Sequence, residues 1–208
     1  MDDPSLAPRA LVWAYERGLF PMDREGARGP IALYSADPRA LMPIEGFRIP
    51  ASVRRGLRRR AYDIRVDAAF DEVVAGCAAG RPRGQTWLTP RLARAYGRLH
   101  RAGLAHSVEA WDGARLVGGL FGVALGGLYS SESMFHTAPD AGSAALVGAA
   151  ALLAAAGFEL WDIQMTSPHT LRFGAVEVPA AEYERRLRRA LAASPAPVLS
   201  AARPRGAV

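Results

Sequence analysis

The sequence predicts an α+β fold, with helices packed on one mixed sheet. Two observations predict it. Stripes of helical period recur along the chain, clearest in Phe70, Val73, Val74 and Cys77 at i, i+3, i+4, i+7. Residues 105–135 instead form short alternating runs broken at Asp112-Gly113 and Gly126-Gly127, the pattern of an antiparallel meander. The 208 residues, half of them hydrophobic, suffice for one domain of ordinary size with a small added lobe.

The elements follow in order. "SLAPRALVWAYERGLF" reads as a helix starting near Ser5, "PMDREGARGP" as a loop, and "IALYSADPRALMP" as short strands and turns. A short helix over Ala51 to Arg60 carries a strongly basic face. "YDIRV" is a strand, and Asp67 then reads as the N-cap of the Phe70–Cys77 helix. "GRPRGQTWL" is a loop. Thr89-Pro90 starts the next helix, continued by Leu92, Tyr96 and Leu99. "AHSVEAW", "RLVGGLFGVAL" and "LYSSESMF" are the meander strands, and the helix of small residues after them ends at Gly157. "FELWDIQM" and "AVEV" are strands separated by a short helix or turn at "SPHTLRF". Pro179 opens a last helix with Tyr183, Leu187 and Leu191 on one side, and the Pro- and Ala-rich stretch from Ser194 reads as a frayed tail. This order resembles an acetyltransferase-like (GNAT-like) mixed sheet flanked by helices, with a small N-terminal lobe. The expected division is a lobe at 1–61, a catalytic domain at 62–193 and a flexible tail at 194–208.

Composition narrows the function. Cys77 is the one cysteine, so an internal disulfide framework is excluded, which suits a reducing cytoplasm. The opening "MDDPSLAPRA" lacks the basic-then-apolar layout of a signal peptide, and no run is apolar enough for a membrane span. No Cys/His cluster has metal spacing, so no structural metal is expected. The net charge is +6 and the pI about 10.2. Every basic residue is arginine. That balance suggests a polyanionic partner, nucleic acid first.

Several residues stand out chemically. Glu132 sits in the apolar run "LGGLYSSESMF", where a carboxylate is costly unless paired, hydrogen-bonded or used. It is either a buried structural acid or a substrate contact, and Ser130 and Ser131 are either sheet-edge residues or site hydroxyls. In "FELWDIQM", alternation puts Asp162 and Gln164 on one face and Trp161, Ile163 and Met165 on the other. The strand then runs from the core into a site at its C-terminal end. Asp162 accepts a hydrogen bond from the Gln164 amide and aims the Gln164 carbonyl outward. The bland alternative makes Asp162 a turn cap and Gln164 a half-exposed strand residue. Trp87, in a loop before a helix, is a lid over core, a pocket wall or a stacking platform. The cluster Arg54, Arg55, Arg58, Arg59 and Arg60, with Arg81 and Arg83 further on, suits phosphate binding better than plain solvation. His106 reads as a sheet residue, His169 as a turn residue and Cys77 as core. "HTAPDAGSAALVG" lacks the Arg/Gln-x-x-Gly-x-Gly turn with which small-molecule acetyltransferases hold the pyrophosphate of coenzyme A.

The combination of "TWLTPRLARAYGRLHRAGLAHSVEAWDGARLVGGLFGVALGGLYSSESMF", "DIQ" and "HTLRFGAVEV" resembles the leucyl/phenylalanyl-tRNA–protein transferase family. "RGLFPM" and "YSADPRALMP" resemble it too, so the likeness runs from about Ala10 to Leu191. The resemblance implies transfer of Leu or Phe from aminoacyl-tRNA to the α-amine of proteins beginning with Arg or Lys. That step feeds N-end rule degradation, in the cytoplasm, as a monomer, with no cofactor and no metal. It implies Asp162 and Gln164 as the catalytic pair and Glu132 as the donor-site acid, with Ser131 and Tyr129 beside it. It implies Trp87 as the platform for the tRNA's terminal adenosine or aminoacyl group, and Leu120, Leu153 and Trp161 as an apolar donor pocket. The arginines above then contact the tRNA acceptor arm. The sequence departs from the family at Ser131, where a glycine is usual, and at Ile163 in "DIQ". Two alternatives stay open: the same chemistry on acceptors beginning with Asp or Glu, and a coenzyme A-dependent N-acetyltransferase.

Overall fold

Strand β1 (Phe20–Met22) pairs antiparallel with β2 (Ala32–Tyr34) in a small ribbon beside the main sheet. The computed structural model describes residues 3–24, 29–79 and 86–196; Arg81 and Arg83 lie outside the described residues. The main sheet has seven strands in the order β4-β5-β6-β7-β8-β3-β9. These are β3 (Arg39–Met42), β4 (Asp63–Val66), β5 (Ala105–Asp112), β6 (Arg115–Leu125), β7 (Leu128–His136), β8 (Leu160–Gln164) and β9 (Val176–Val178). Only β7 and β8 run parallel; every other neighbouring pair is antiparallel. The sheet is therefore mixed and the chain α+β, as expected.

Helix α5 (Ala141–Ala156) is the crossover a parallel pair requires. Its alanines let it lie close on one face of the sheet, with α2 (Ala51–Arg59) beside it. Val53 and Leu57 bury the apolar side of α2 and leave Arg54, Arg55, Arg58, Arg59 and Arg60 exposed. On the other face, α1 (Pro8–Tyr15), α3 (Phe70–Ala79) and α4 (Pro90–Arg101) pack as one apolar cluster with Phe121 and Val123. Helix α7 (Ala180–Ala192) packs as a second, over Leu41, Leu128 and Leu160.

The expected boundary near residue 61 does not coincide with a break in the sheet, because β3 lies between β8 and β9. Two local expectations are corrected. The turn between β5 and β6 is Gly113-Ala114, one residue later than expected, since Asp112 pairs with Arg115. Asp67 does not cap α3. At that helix start the Ala69 N–H donates to Glu109 Oε1 from β5. Asp67, with φ of 55°, instead accepts from the Ser107 N–H and pairs with the His106 ring.

Candidate active site

Strands β7 and β8 pair over only three positions, ending at Ser130 beside Asp162, and then part. The site lies at that fork. Just beyond it, β7 carries a bulge: Gly122 faces Ser131 and Phe121 faces Ser133, so Glu132 has no partner on β6. A bulge re-aims the side chain of the extra residue. Here it turns Glu132 toward Tyr96 of α4, Ser130 and Gln164. The β3–β8 register shifts in the same way, with Ala40 opposite Gln164 and Leu41 opposite Asp162.

Asp162 is buried and Glu132 half-buried, and their partners differ. Glu132 Oε2 accepts from the Tyr96 hydroxyl at 2.9 Å, and Tyr96 is bonded to Tyr15 at 2.9 Å. Glu132 Oε1 accepts from Ser130 at 3.2 Å and from Gln164 Nε2 at 3.4 Å. Burial raises its pKa and the tyrosine hydroxyls pull it back, leaving it pushed up to about 7. Asp162 instead faces a cation. Arg39 donates to it through Nε at 2.9 Å and Nη2 at 2.6 Å, in the bidentate geometry of a guanidinium. Burial works against the Arg39 cation, the bonds to Asp162 work for it, and its pKa ends above the usual value.

Alternation places Asp162 and Gln164 near one another, as expected. Their link differs from the expected one. Asp162 Oδ1 accepts from the Gln164 backbone N–H at 2.9 Å, and the Gln164 side-chain amide donates to Ser130 at 3.0 Å. Gln164 sits at φ of 57°, left-handed backbone uncommon for a residue with a Cβ. Ser130 already donates to Glu132, so both neighbours of the Gln164 NH2 are acceptors. Its Oε1 is left without a partner among the described residues and is not sealed from solvent.

The fork opens into a cavity of about 830 Å³ lined by Glu132, Ser133, Met134, Gln164, Met165 and Trp87, with Phe20 and Met22 from β1. Trp87 is thus a cavity wall. Its loop is pinned to Asp23: the Asp23 N–H donates to the Trp87 carbonyl, and Thr89 and Arg91 donate to the Asp23 carboxylate. Against burial, Arg91 and Thr89 hold that carboxyl down at about 2. The far wall holds Asp140, His136, His169 and Arg172, the last two on α6 (Pro168–Arg172). Burial and nearby Arg172 lower the His169 pKa. Arg172 also donates to Ser52 on the basic helix α2 at 2.9 Å.

Five expected substrate residues do not line this cavity. Leu120, Leu153 and Tyr129 are buried in the α5 core on the opposite face of the sheet. Trp161 lies there too, stacked on Phe47, and its indole N–H donates to Ser131 at 2.8 Å. Period-two alternation accounts for this: Tyr129 and Trp161 point away from Ser130 and Asp162.

The sequence profile described as leucyl/phenylalanyl-tRNA protein transferase matches residues 41–188. The leucyl/phenylalanyl-tRNA–protein transferase of Nitratidesulfovibrio vulgaris is 49% identical over 180 residues, covering 86% of this chain and 76% of that one. Its counterpart in Herpetosiphon aurantiacus is 44% identical over 190 residues, 91% and 96% of the two chains. The chain belongs to the leucyl/phenylalanyl-tRNA–protein transferase family. It is an aminoacyltransferase of that family. The relative from Rubrobacter xylanophilus, 48% identical over 187 residues, covers 89% of this chain and 95% of its own. Among solved structures, L-PGS from Bacillus licheniformis overlaps 74% of this chain and 64% of that one, at 11% identity and a TM-score of 0.46. An overlap that loose carries no argument.

Arg39, Tyr15, Tyr96 and Tyr183 are the site residues the sequence reading missed. The signal for Arg39 was present in "DPRALM": a charge inside an apolar strand needs a buried partner.

Proposed function

We propose that this enzyme moves Leu or Phe from aminoacyl-tRNA to the α-amine of proteins beginning with Arg or Lys, marking them for N-end rule degradation. The observation that carries this reading is the free Oε1 of Gln164 at the mouth of the fork, beside Glu132. Aminolysis of an ester is downhill, and its rate rests mainly on positioning. The acceptor amine donates a hydrogen bond to Gln164 Oε1 and attacks the ester carbonyl carbon. The carbon–oxygen bond to the tRNA ribose breaks, and the amine proton ends on the departing hydroxyl. An amide is too weak a base to keep that proton, so Gln164 orients the amine rather than deprotonating it.

Trp87 stacks on the terminal adenosine or the aminoacyl group. Met22, Met134 and Met165 give the donor side chain an apolar, adaptable wall. Arg54, Arg55, Arg58 and Arg59 project from one face of α2 toward the acceptor-arm phosphates, and Arg172 joins that face to the cavity. Glu132 and Asp140 are the lining carboxylates that suit a cationic N-terminus. In this reading residues 1–61 are the tRNA-binding part, which also lends β3 to the sheet, and residues 62–193 are an acetyltransferase-like catalytic domain. The enzyme works in the cytoplasm as a monomer, without cofactor or metal.

Arg172 on the cavity wall favours a second acceptor class, proteins beginning with Asp or Glu. The test is transfer of labelled Leu and Phe from charged tRNA to peptides starting with Arg, Lys, Asp, Glu or Ala, with acetyl-coenzyme A as a parallel donor. Labelling of Arg and Lys peptides is the expected result. Labelling of Asp and Glu peptides alone keeps the chemistry and replaces the acceptor. Labelling from acetyl-coenzyme A alone overturns the reading.

A further inference from the structure

The geometry points to Arg39 as a positioning residue that turns Asp162 into a fixed anchor for the Gln164 backbone, so that Gln164 alone meets the acceptor amine; this rests on the reading of Gln164 given above. A carboxylate offers about four lone-pair sites. At Asp162 four donors fill them: Arg39 Nε and the Gln164 N–H on Oδ1, Arg39 Nη2 and the Tyr183 hydroxyl on Oδ2. The side chain is almost fully buried, and nothing is left to present to a substrate. Its one bond toward the site is to a backbone N–H, and that bond sits on the residue with left-handed φ. Such a conformation persists where its surroundings over-determine it.

Arg39 supplies the determination. Its Nη1 donates to the Gly18 carbonyl at 2.8 Å in the turn after α1, and its plane lies over the rings of Phe20 and Tyr183, 4.9 and 4.5 Å from their centroids. Two segments far apart in sequence, residues 18–20 and Tyr183 of α7, thus lock one guanidinium, which locks Asp162, which sets Gln164. In that conformation Gln164 Nε2 reaches Ser130 on β7, and Oε1 is turned free. Asp162 contacts no substrate in this arrangement.

The test is a double-mutant cycle on the full chain: Arg39→Met, Asp162→Asn and both together. It is read as kcat and peptide KM for transfer from charged tRNA, with backbone hydrogen exchange over residues 160–165. Arg39→Met is expected to lower kcat by about 100-fold with peptide KM unchanged, the cost of a misplaced contact. Asp162→Asn falls similarly, because it faces an unpaired cation. The double variant recovers about tenfold over either single change, since Asn still accepts the Gln164 N–H and no buried charge is unpaired. A double variant no better than Asp162→Asn, or Arg39→Met with unchanged kcat, overturns the inference. Where Arg39→Met does not fold, Arg39→Lys takes its place; it keeps the cation without the bidentate fork, and unchanged kcat overturns the inference equally. Failure of the unmodified enzyme to transfer any amino acid would strike the proposed function alone. Exchange then decides: the Gln164 amide is slow in the unmodified and double-variant chains and at least about tenfold faster in Arg39→Met. Equal exchange in all of them removes the anchor.

Discussion

Asp162, buried, and Glu132, half-buried, are carboxylates on adjacent parallel strands, two residues apart across the fork, and they live in opposite electrostatic worlds. Asp162 is clamped by a guanidinium and a phenol, with every lone pair occupied. Among the described residues, Glu132 is held by neutral groups: Tyr96, Ser130 and the Gln164 amide. One acid has a cation as its direct partner and, among the described residues, the other has none. Two carboxylates with different hydrogen-bond partners can divide the labour of a site. Here the paired acid organises the backbone, and the unpaired one sits at the edge of ionisation and faces the cavity.

The largest effect comes from taking away the paired acid. Asp162→Ala leaves Arg39 buried and uncompensated, and breaking a buried pair from one side costs about 3–5 kcal/mol. Urea denaturation at pH 7 should show that loss. A cost below about 1 kcal/mol would mean the pair is not buried as described and would collapse the contrast.

Next in size is the pH dependence of the unpaired acid. Folding moves the Glu132 pKa from its ordinary 4.5 to about 7. The folded chain therefore holds a proton more tightly than the unfolded chain between those values, and stability falls as pH rises through that window. At about 1.4 kcal/mol per pH unit, the loss is about 3 kcal/mol, absent below pH 4.5 and complete above pH 7. Glu132→Gln cannot titrate, so the difference between its stability and that of the unmodified chain should grow in favour of the variant across the same window. Parallel curves would show that Glu132 ionises freely and is no counterpart to Asp162.

Much of this site was legible in the sequence. The period-two pattern of "LWDIQ" placed Asp162 and Gln164 together with Trp161 opposite, and Glu132 announced itself as a carboxylate in an apolar run. Trp87 and the arginine face of α2 also lie where local pattern put them. What was hidden depends on register and on distance along the chain. The bulge at Glu132 exists only in how β7 meets β6, a relation no single strand encodes. Arg39 bonds a residue 123 positions away, and among 26 arginines its burial did not stand out. Tyr96 and Tyr183 were read as members of apolar helical stripes. That is true of their rings and silent about their hydroxyls. Leu120, Leu153 and Trp161, expected as a donor pocket, lie in the α5 core rather than on this cavity for a similar reason: the resemblance assigned residues, while alternation decides which face they take.

A smaller effect separates the two halves of the Glu132 environment. Tyr96→Phe removes the donor to Oε2 and leaves Tyr15 without its partner. Losing a hydrogen bond to a buried carboxylate costs about 1–3 kcal/mol, and the loss should be greater above pH 7, where the acid is ionised. The apparent pKa of Glu132 should move further up. Tyr183→Phe, the matching change at Asp162, removes one donor of four and leaves the guanidinium fork in place, so it should be milder and carry no added pH dependence.

The smallest effect tests the faces of β7 and β8 that point away from the cavity. Trp161 and Ser131 join the two strands there through one hydrogen bond from the indole N–H to the hydroxyl. Ser131→Ala leaves that N–H unpaired beside the α5 core, at a cost of about 1 kcal/mol. The change lies on neither carboxylate, so the pH dependence of stability and the kcat for transfer should both hold while the melting temperature drops by a few degrees. A change in kcat larger than threefold, about 0.65 kcal/mol in barrier height, would mean that the fork transmits strain from its back to its front. The roles of Asp162 and Glu132 would then be set by the spacing of the strands as much as by the partners each acid has found.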